Sequence, residues 1–192
     1  MDEQRRNLMV AGALAISAPS LWSRSADGSE GEDLTVPPRP AQPSPGRPGQ
    51  FDFLSGDWRI QHRRLRNGEW DRFEGEASCW SILGGVVSIE ELRIPARQFS
   101  GMGLRTLDVA QQQWSDYWVN ASSGVVGSSG MLGSFEAGLG LFYSEDQDGD
   151  TRILVASIWD QIEARRCRWR QAVSRDGGQT WAHDWIMHWH KV

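Results

Sequence analysis

The sequence predicts an all-β protein whose strands close into an antiparallel up-and-down barrel of about ten strands. Three observations predict it. After residue 50, apolar and polar residues alternate with a period of two, and no stretch there carries a convincing helical period. Tight-turn signals separate these runs, at Asn67-Gly68, Gly84-Gly85, Asp148-Gly149 and Asp176-Gly177-Gly178. Such short connections join antiparallel neighbours, and closing the resulting meander removes its exposed edges. A β-sandwich is the alternative architecture.

The first fifty residues stand apart from that pattern. Arg5-Arg6 precedes an apolar run from Leu8 to about Leu21, too short to cross a bilayer of ~30 Å as a helix. The run fits the core of a signal peptide, and Arg5-Arg6-Asn7-Leu8-Met9 resembles a twin-arginine export signal. Residues 1–26 are therefore expected to be a signal and the protein periplasmic or secreted. The alternative is a cytoplasmic protein with a frayed amphipathic N-terminus. From residue 27 to 50 the composition shifts to Pro, Gly, Ser and charge, with six of the eight prolines between Pro37 and Pro48. Such a segment predicts an extended, disordered tether. The barrel domain is then residues 51–192, an ordinary size for one core.

Within the domain, Gly56-Asp-Trp58 leads into a strand to Arg66, and Asn67-Gly68 turns it into Trp70 to Leu83, with Gly75 a bulge or bend. Val86 to Arg93, Met102 to Val109 and Trp114 to Asn120 follow. Met131 to Glu136, Leu139 to Glu145 and Thr151 to Gln161 continue the series. The last two arms form a long hairpin. Cys167, Trp169, Gln171 and Val173 share one face of the first arm, with Arg166, Arg168 and Arg170 behind them as a solvated row. In the second arm, Trp181, His183, Trp185, Met187 and Trp189 share a face by the same count.

Two motifs carry a resemblance. Phe53-Leu54-x-Gly56-x-Trp58 and Trp169-x-Gln171-Ala172-x-Ser174-x-Asp176-Gly177-Gly178-x-Thr180-Trp181 resemble a bacterial domain-of-unknown-function family with a lipocalin-like (calycin) barrel. Gly56-x-Trp58 is similar to the Gly-x-Trp of lipocalins and fatty-acid-binding proteins, where the Trp plugs one barrel end. The resemblance spans roughly Phe51 to Val192. It implies a barrel and a cavity, and supplies no ligand or reaction.

The composition narrows the chemistry. A net charge of −5 and a pI near 5.4, with no concentrated basic stripe, argue against a nucleic-acid partner. Cys79 and Cys167 form no C-x-x-C pattern, which excludes a cysteine zinc site and leaves one bridge or two buried thiols. Ser174-x-Asp176-x-Gly178-x-Thr180-Trp181 matches the Asp box of sialidase-like propellers. It occurs once here and reads as turn architecture. Asp146-x-Asp148-Gly149-Asp150 fails the EF-hand pattern, since Thr151 and Ser157 stand where Gly and Glu are required. His188 and His190, ~7 Å apart on one strand face, lack an evident third metal ligand. Haem, held by His183 alone, is the one cofactor alternative to none; Met187 is ~13 Å along the strand, too far for a second axial ligand.

Eleven tryptophans against two tyrosines suit a lined pocket. Polar residues on apolar faces are the other informative positions. Glu90 and Glu91 are neighbours, so only one reaches the interior, and Arg105 shares a face with Leu107. The expected lining is His62, Glu90, Arg105, Trp118, Trp159, Trp169, Gln171, His183 and Trp185, around a small apolar or aromatic ligand. An internal hydrogen-bond network among the polar members is the structural alternative. An enzyme using His62 or His183 with Glu90 or Arg105, and a side-chain-filled barrel acting as an interaction module, are the alternative functions. No membrane span is expected once the signal is removed.

Overall fold

Ten strands run in sequence order around a closed antiparallel barrel, each pairing with its chain neighbours, and the last pairs with the first. The computed structural model describes residues 32–127 and 130–192. Residues 36–192 form one compact unit. The expected signal lies outside the described residues, as do residues 27–31 of the expected tether. Among the described residues no helix is long and apolar enough to cross a membrane.

The strands are β1 (Gly56–Arg66), β2 (Glu69–Ile82), β3 (Val87–Ile94), β4 (Phe99–Asp108) and β5 (Gln113–Asn120). They continue as β6 (Met131–Glu136), β7 (Leu139–Asp148), β8 (Thr151–Asp160), β9 (Arg166–Ser174) and β10 (Ala182–Lys191). Closure sets Trp58 opposite Lys191, Ile60 opposite Trp189 and His62 opposite Met187. The sandwich alternative is thereby excluded.

Antiparallel order divides the connections between two ends. The β2–β3, β4–β5, β6–β7 and β8–β9 turns share one end with the start of β1 and the finish of β10. That end is plugged. Phe51 and the 3-10 turn Asp52–Leu54 lie across it. The Phe51 ring meets Trp114 edge-on at 5.0 Å and Phe135 at 4.8 Å, with Trp159 at 6.5 Å. Trp58, buried beside them, donates from Nε1 to the Leu54 carbonyl at 2.6 Å. Rings fill this half of the barrel.

The proline-rich segment is held in part rather than free. Its prolines preclude a ladder, yet Tyr143 Oη donates to the Pro37 carbonyl at 3.0 Å. The Gly46 amide donates to Gln112 O at 2.6 Å and the Gly49 amide to Gly85 O at 2.9 Å. Val36 packs with Trp181 against Tyr143, Ala156 and Ile158 on the outer face of β7 and β8. Residues 36–50 thus make specific contacts with the barrel where the sequence predicted an extended tether.

One local reading also changes. Gly75 is no bulge: register runs unbroken through Ile60↔Gly75. The bulge falls in β10, between His183 and Trp185. The Asp box is the turn device expected. Asp176 Oδ1 accepts from the Gln179 and Thr180 amides at 3.0 and 2.9 Å, and Ser174 Oγ accepts from the Gly178 amide at 2.8 Å.

Candidate functional site

On β1, the period of two turns Ile60, His62 and Arg64 inward. His62 is 1% exposed. Its ring lies flat on Phe73 at 4.6 Å with planes 9° apart, and Trp185 Nε1 donates to its Nδ1 at 3.2 Å. That bond assigns the ring proton to Nε2. Nε2 sits over the inner face of Gly75, where a Cβ would stand 2.6 Å from it. The missing side chain at Gly75 makes room for the imidazole. Burial, with the charges of Arg97 and Arg64 added, lowers the His62 pKa to about 3, so the ring is neutral at physiological pH.

The neighbouring wall comes from β9 and β10. Trp169 and Trp185 meet edge-on at 5.8 Å, and Trp169 Nε1 donates to Ser157 Oγ at 2.7 Å. The β10 bulge inserts Asp184, whose carboxylate accepts from Gln171 Nε2 at 3.1 and 3.2 Å. Burial raises the Asp184 pKa against the opposing pull of Gln171 and Arg64. Arg64 lies over the Trp185 ring, 4.5 Å from its centroid, and Arg97 over Phe73 at 3.5 Å. Arg97, Phe73, His62, Trp185 and Arg64 thus form one continuous stack.

Deeper in, Glu90, Arg105 and Asp116 make a buried ionic cluster. Arg105 Nη2 donates to Glu90 Oε2 at 2.5 Å, and Nε lies 3.4 Å from Asp116 Oδ1. The guanidinium covers Gly103, and its Cζ lies 5.3 Å from the centroids of Phe51 and Trp159. Burial works against the Arg105 cation, but Asp116 and Glu90 more than offset it and hold the charge. Burial lifts Asp116 to about 6, opposed by Arg105 and reinforced by Glu90. Cys79 faces Glu90 across the β2–β3 pair. Both cysteines are free and buried, their thiols pushed up by burial and then by Glu90.

Of the expected lining, His62, Trp169, Gln171 and Trp185 come together on β1, β9 and β10. Glu90 and Arg105 pair with each other, with Trp159 beside them in the plug. Trp118 lies over Gly101, stacked on Phe99 at 6.4 Å. His183 is the misplacement. The extra residue of the bulge sets it opposite Ala172, on the outward row, where its Nε2 lies 3.0 Å from Arg170 Nη1. A haem inside the barrel would not find it. His62 bonds Trp185 while Glu90 bonds Arg105, so the His–Glu pair of an enzyme is not assembled. Of the arginine row behind Trp169, Arg166 is solvated as expected, but Arg168 and Arg170 are each 3% exposed, and both donate to Asp160 at 2.7–2.8 Å. Among the described residues no group of three or more metal-ligating side chains gathers.

Sequence reasoning missed Arg64, Phe73, Asp116 and Asp184. Asp116 was signalled by its place between Trp114 and Trp118 on one strand face, and Arg64 by sharing the face of His62. Asp184 carried no signal, because only the bulge turns it inward.

Among the described residues several buried donors lack an acceptor: His62 Nε2, Arg105 Nη1, and Nε1 of Trp118, Trp159 and Trp189. Buried N–H groups are ordinarily paired. The chain matches no known protein-family model and no curated protein.

Proposed function

We propose that the protein binds a small apolar or aromatic molecule in the half of the barrel away from the plug. The observation that carries this reading is the pair of buried N–H groups without acceptors in that half, His62 Nε2 and Trp118 Nε1, among aromatic side chains. A ligand with one or two acceptor atoms would satisfy them, and its rings would lie against Trp118, Trp169 or Trp185. Export to the periplasm or outside the cell belongs to the same reading, and its support is the Arg5-Arg6 signal pattern. A second reading, a filled barrel that acts through its surface, is favoured by the packing of the plugged half.

Native mass spectrometry of the full chain purified from its own source, with an absorbance scan of the same sample, tests the choice. A co-purifying small molecule supports binding and gives its mass. A clean apo mass, with no change in Trp fluorescence across a panel of aromatic compounds, favours the filled barrel.

A further inference from the structure

Two glycines on the inner face of β4 leave a bare strip of backbone. A Cβ at Gly103 would stand 3.2 Å from Arg105 Nη1, and one at Gly101 would stand 2.9 Å from Trp118 Cε2. The guanidinium and the indole therefore lie over successive inner positions of one strand, about 7 Å apart. Each brings a buried N–H without an acceptor, Arg105 Nη1 and Trp118 Nε1. The guanidinium rests on the plug rings Phe51 and Trp159, so it forms the floor of the open half. Asp116 faces it across the β4–β5 ladder. Arg105 Nη2 is taken by Glu90, while Nε, 3.4 Å from Asp116 Oδ1, lies beyond good hydrogen-bond range. Asp116 stands at the last rung that β5 shares with β6, beyond which β5 runs on to Asn120. There its side chain keeps 13% exposure, against 5% for Arg105. Two unanswered donors and a loosely held acceptor around one spot specify what fits. An anion is disfavoured, because Glu90 and Asp116 already outnumber Arg105. A cation would leave both N–H groups without an acceptor. A neutral group with a carbonyl beside an N–H answers all three.

Resting on the binding reading above, we propose that the barrel takes a planar aromatic molecule bearing a secondary amide, seated on Arg105, Asp116 and Trp118. Its carbonyl accepts from Arg105 Nη1 and Trp118 Nε1, and its N–H donates to the Asp116 carboxylate. Binding is noncovalent and leaves the ligand unchanged.

Calorimetric titration of the full chain with 2-quinolone and with 1-methyl-2-quinolone tests this, since methylation removes the N–H and leaves the rings and the carbonyl. 2-Quinolone should bind about ten-fold tighter, as one hydrogen bond to a charged group contributes. Asp116→Ala should abolish that difference. Trp118→Phe keeps a ring but loses the indole donor, and should weaken both compounds several-fold while preserving the difference. If Asp116→Ala does not fold, Trp118→Phe decides: unchanged affinities overturn the proposal. Equal affinity of the native chain for the two compounds also overturns it, while leaving an apolar binding cavity standing. Binding of naphthalene alone has the same meaning. Failure of naphthalene and both quinolones to bind overturns the proposal and the binding reading together.

Discussion

Arg105 is the residue on which the interior charge balance turns. It is 4% exposed, as Glu90 is 3%, so each holds a charge that water does not reach. Replacing Arg105 by Met should cost about 3–5 kcal/mol, because Glu90 is left buried and unpaired. The double variant Glu90→Gln, Arg105→Met should recover most of that loss in a denaturant melt. If it is no more stable than the single variant, the pair is not the unit described. Asp116 gives a pH signature of known sign. Its carboxyl is raised in the fold to about 6, so the folded protein binds that proton more tightly than the unfolded chain. Its contribution is most favourable below the ordinary carboxylate range and is lost as pH rises through about 6. Asp116→Asn should flatten this dependence and raise stability at pH 7 by on the order of 1–3 kcal/mol. A loss at pH 7 would mean that Arg105 needs the Asp116 charge. The Glu90–Arg105 half of this cluster was legible, since alternation let only one of Glu90 and Glu91 inside and a buried Glu and Arg require each other. Asp116 went unweighed because a single acidic residue between tryptophans looks like an ordinary polar interruption.

Among the strands, β2 and the β9–β10 hairpin show two ways in which a local feature places a distant side chain. Gly75 gives up its own side chain so that His62 can lie across it. A Cβ there would also stand 3.0 Å from the Arg93 carbonyl. Gly75→Ala should therefore destabilise by about 1–3 kcal/mol and disturb the Trp185 fluorescence that His62 shapes. An unperturbed melt would show that the ring moves aside freely. In the hairpin, four donors converge on the Asp176 carboxylate: the Gln179 and Thr180 amides and the Ser174 and Thr180 hydroxyls. They hold its pKa down to about 2. Its support is present above the ordinary Asp range and is lost as pH falls through about 2. Asp176→Ala should speed amide exchange at Gln179 and Thr180 at neutral pH, and unchanged rates would argue that backbone geometry suffices. The turn chemistry was readable because glycine and aspartate act within a few residues. The β10 bulge was not, for it depends on how Ala182–Lys191 meets β9. One inserted residue reversed the face assigned to His183, the residue expected to hold a haem if one were bound.

At the scale of the whole molecule, the sequence pattern foretold the closed meander because ten runs with short turns leave few other ways to bury one face. What it did not foretell is the part played by residues 36–54, where proline suppresses strand signals and the contacts that seat the segment on the barrel are long-range. Phe51→Ala should cost about 3–5 kcal/mol, as removal of a large buried ring from a packed core does. Deleting residues 36–49 should lower the melting temperature while leaving the barrel's far-UV spectrum intact, since the Tyr143 and Gln112 contacts go but the ladder remains. A coincident loss of both would make the segment part of the cooperative core.

The seam between β1 and β10 joins Trp58 to Lys191, nearly the full length of the domain apart in the chain. Every other strand pair is a neighbour in sequence and can zip from its own turn. The seam cannot, so its closure carries the largest loop entropy and belongs late in folding. Until then the nascent sheet presents two bare rims, a hazard for sticking to other chains. Arg59 and Arg63 on one rim and Lys191 on the other put mutually repelling basic groups along edges that would otherwise invite self-association.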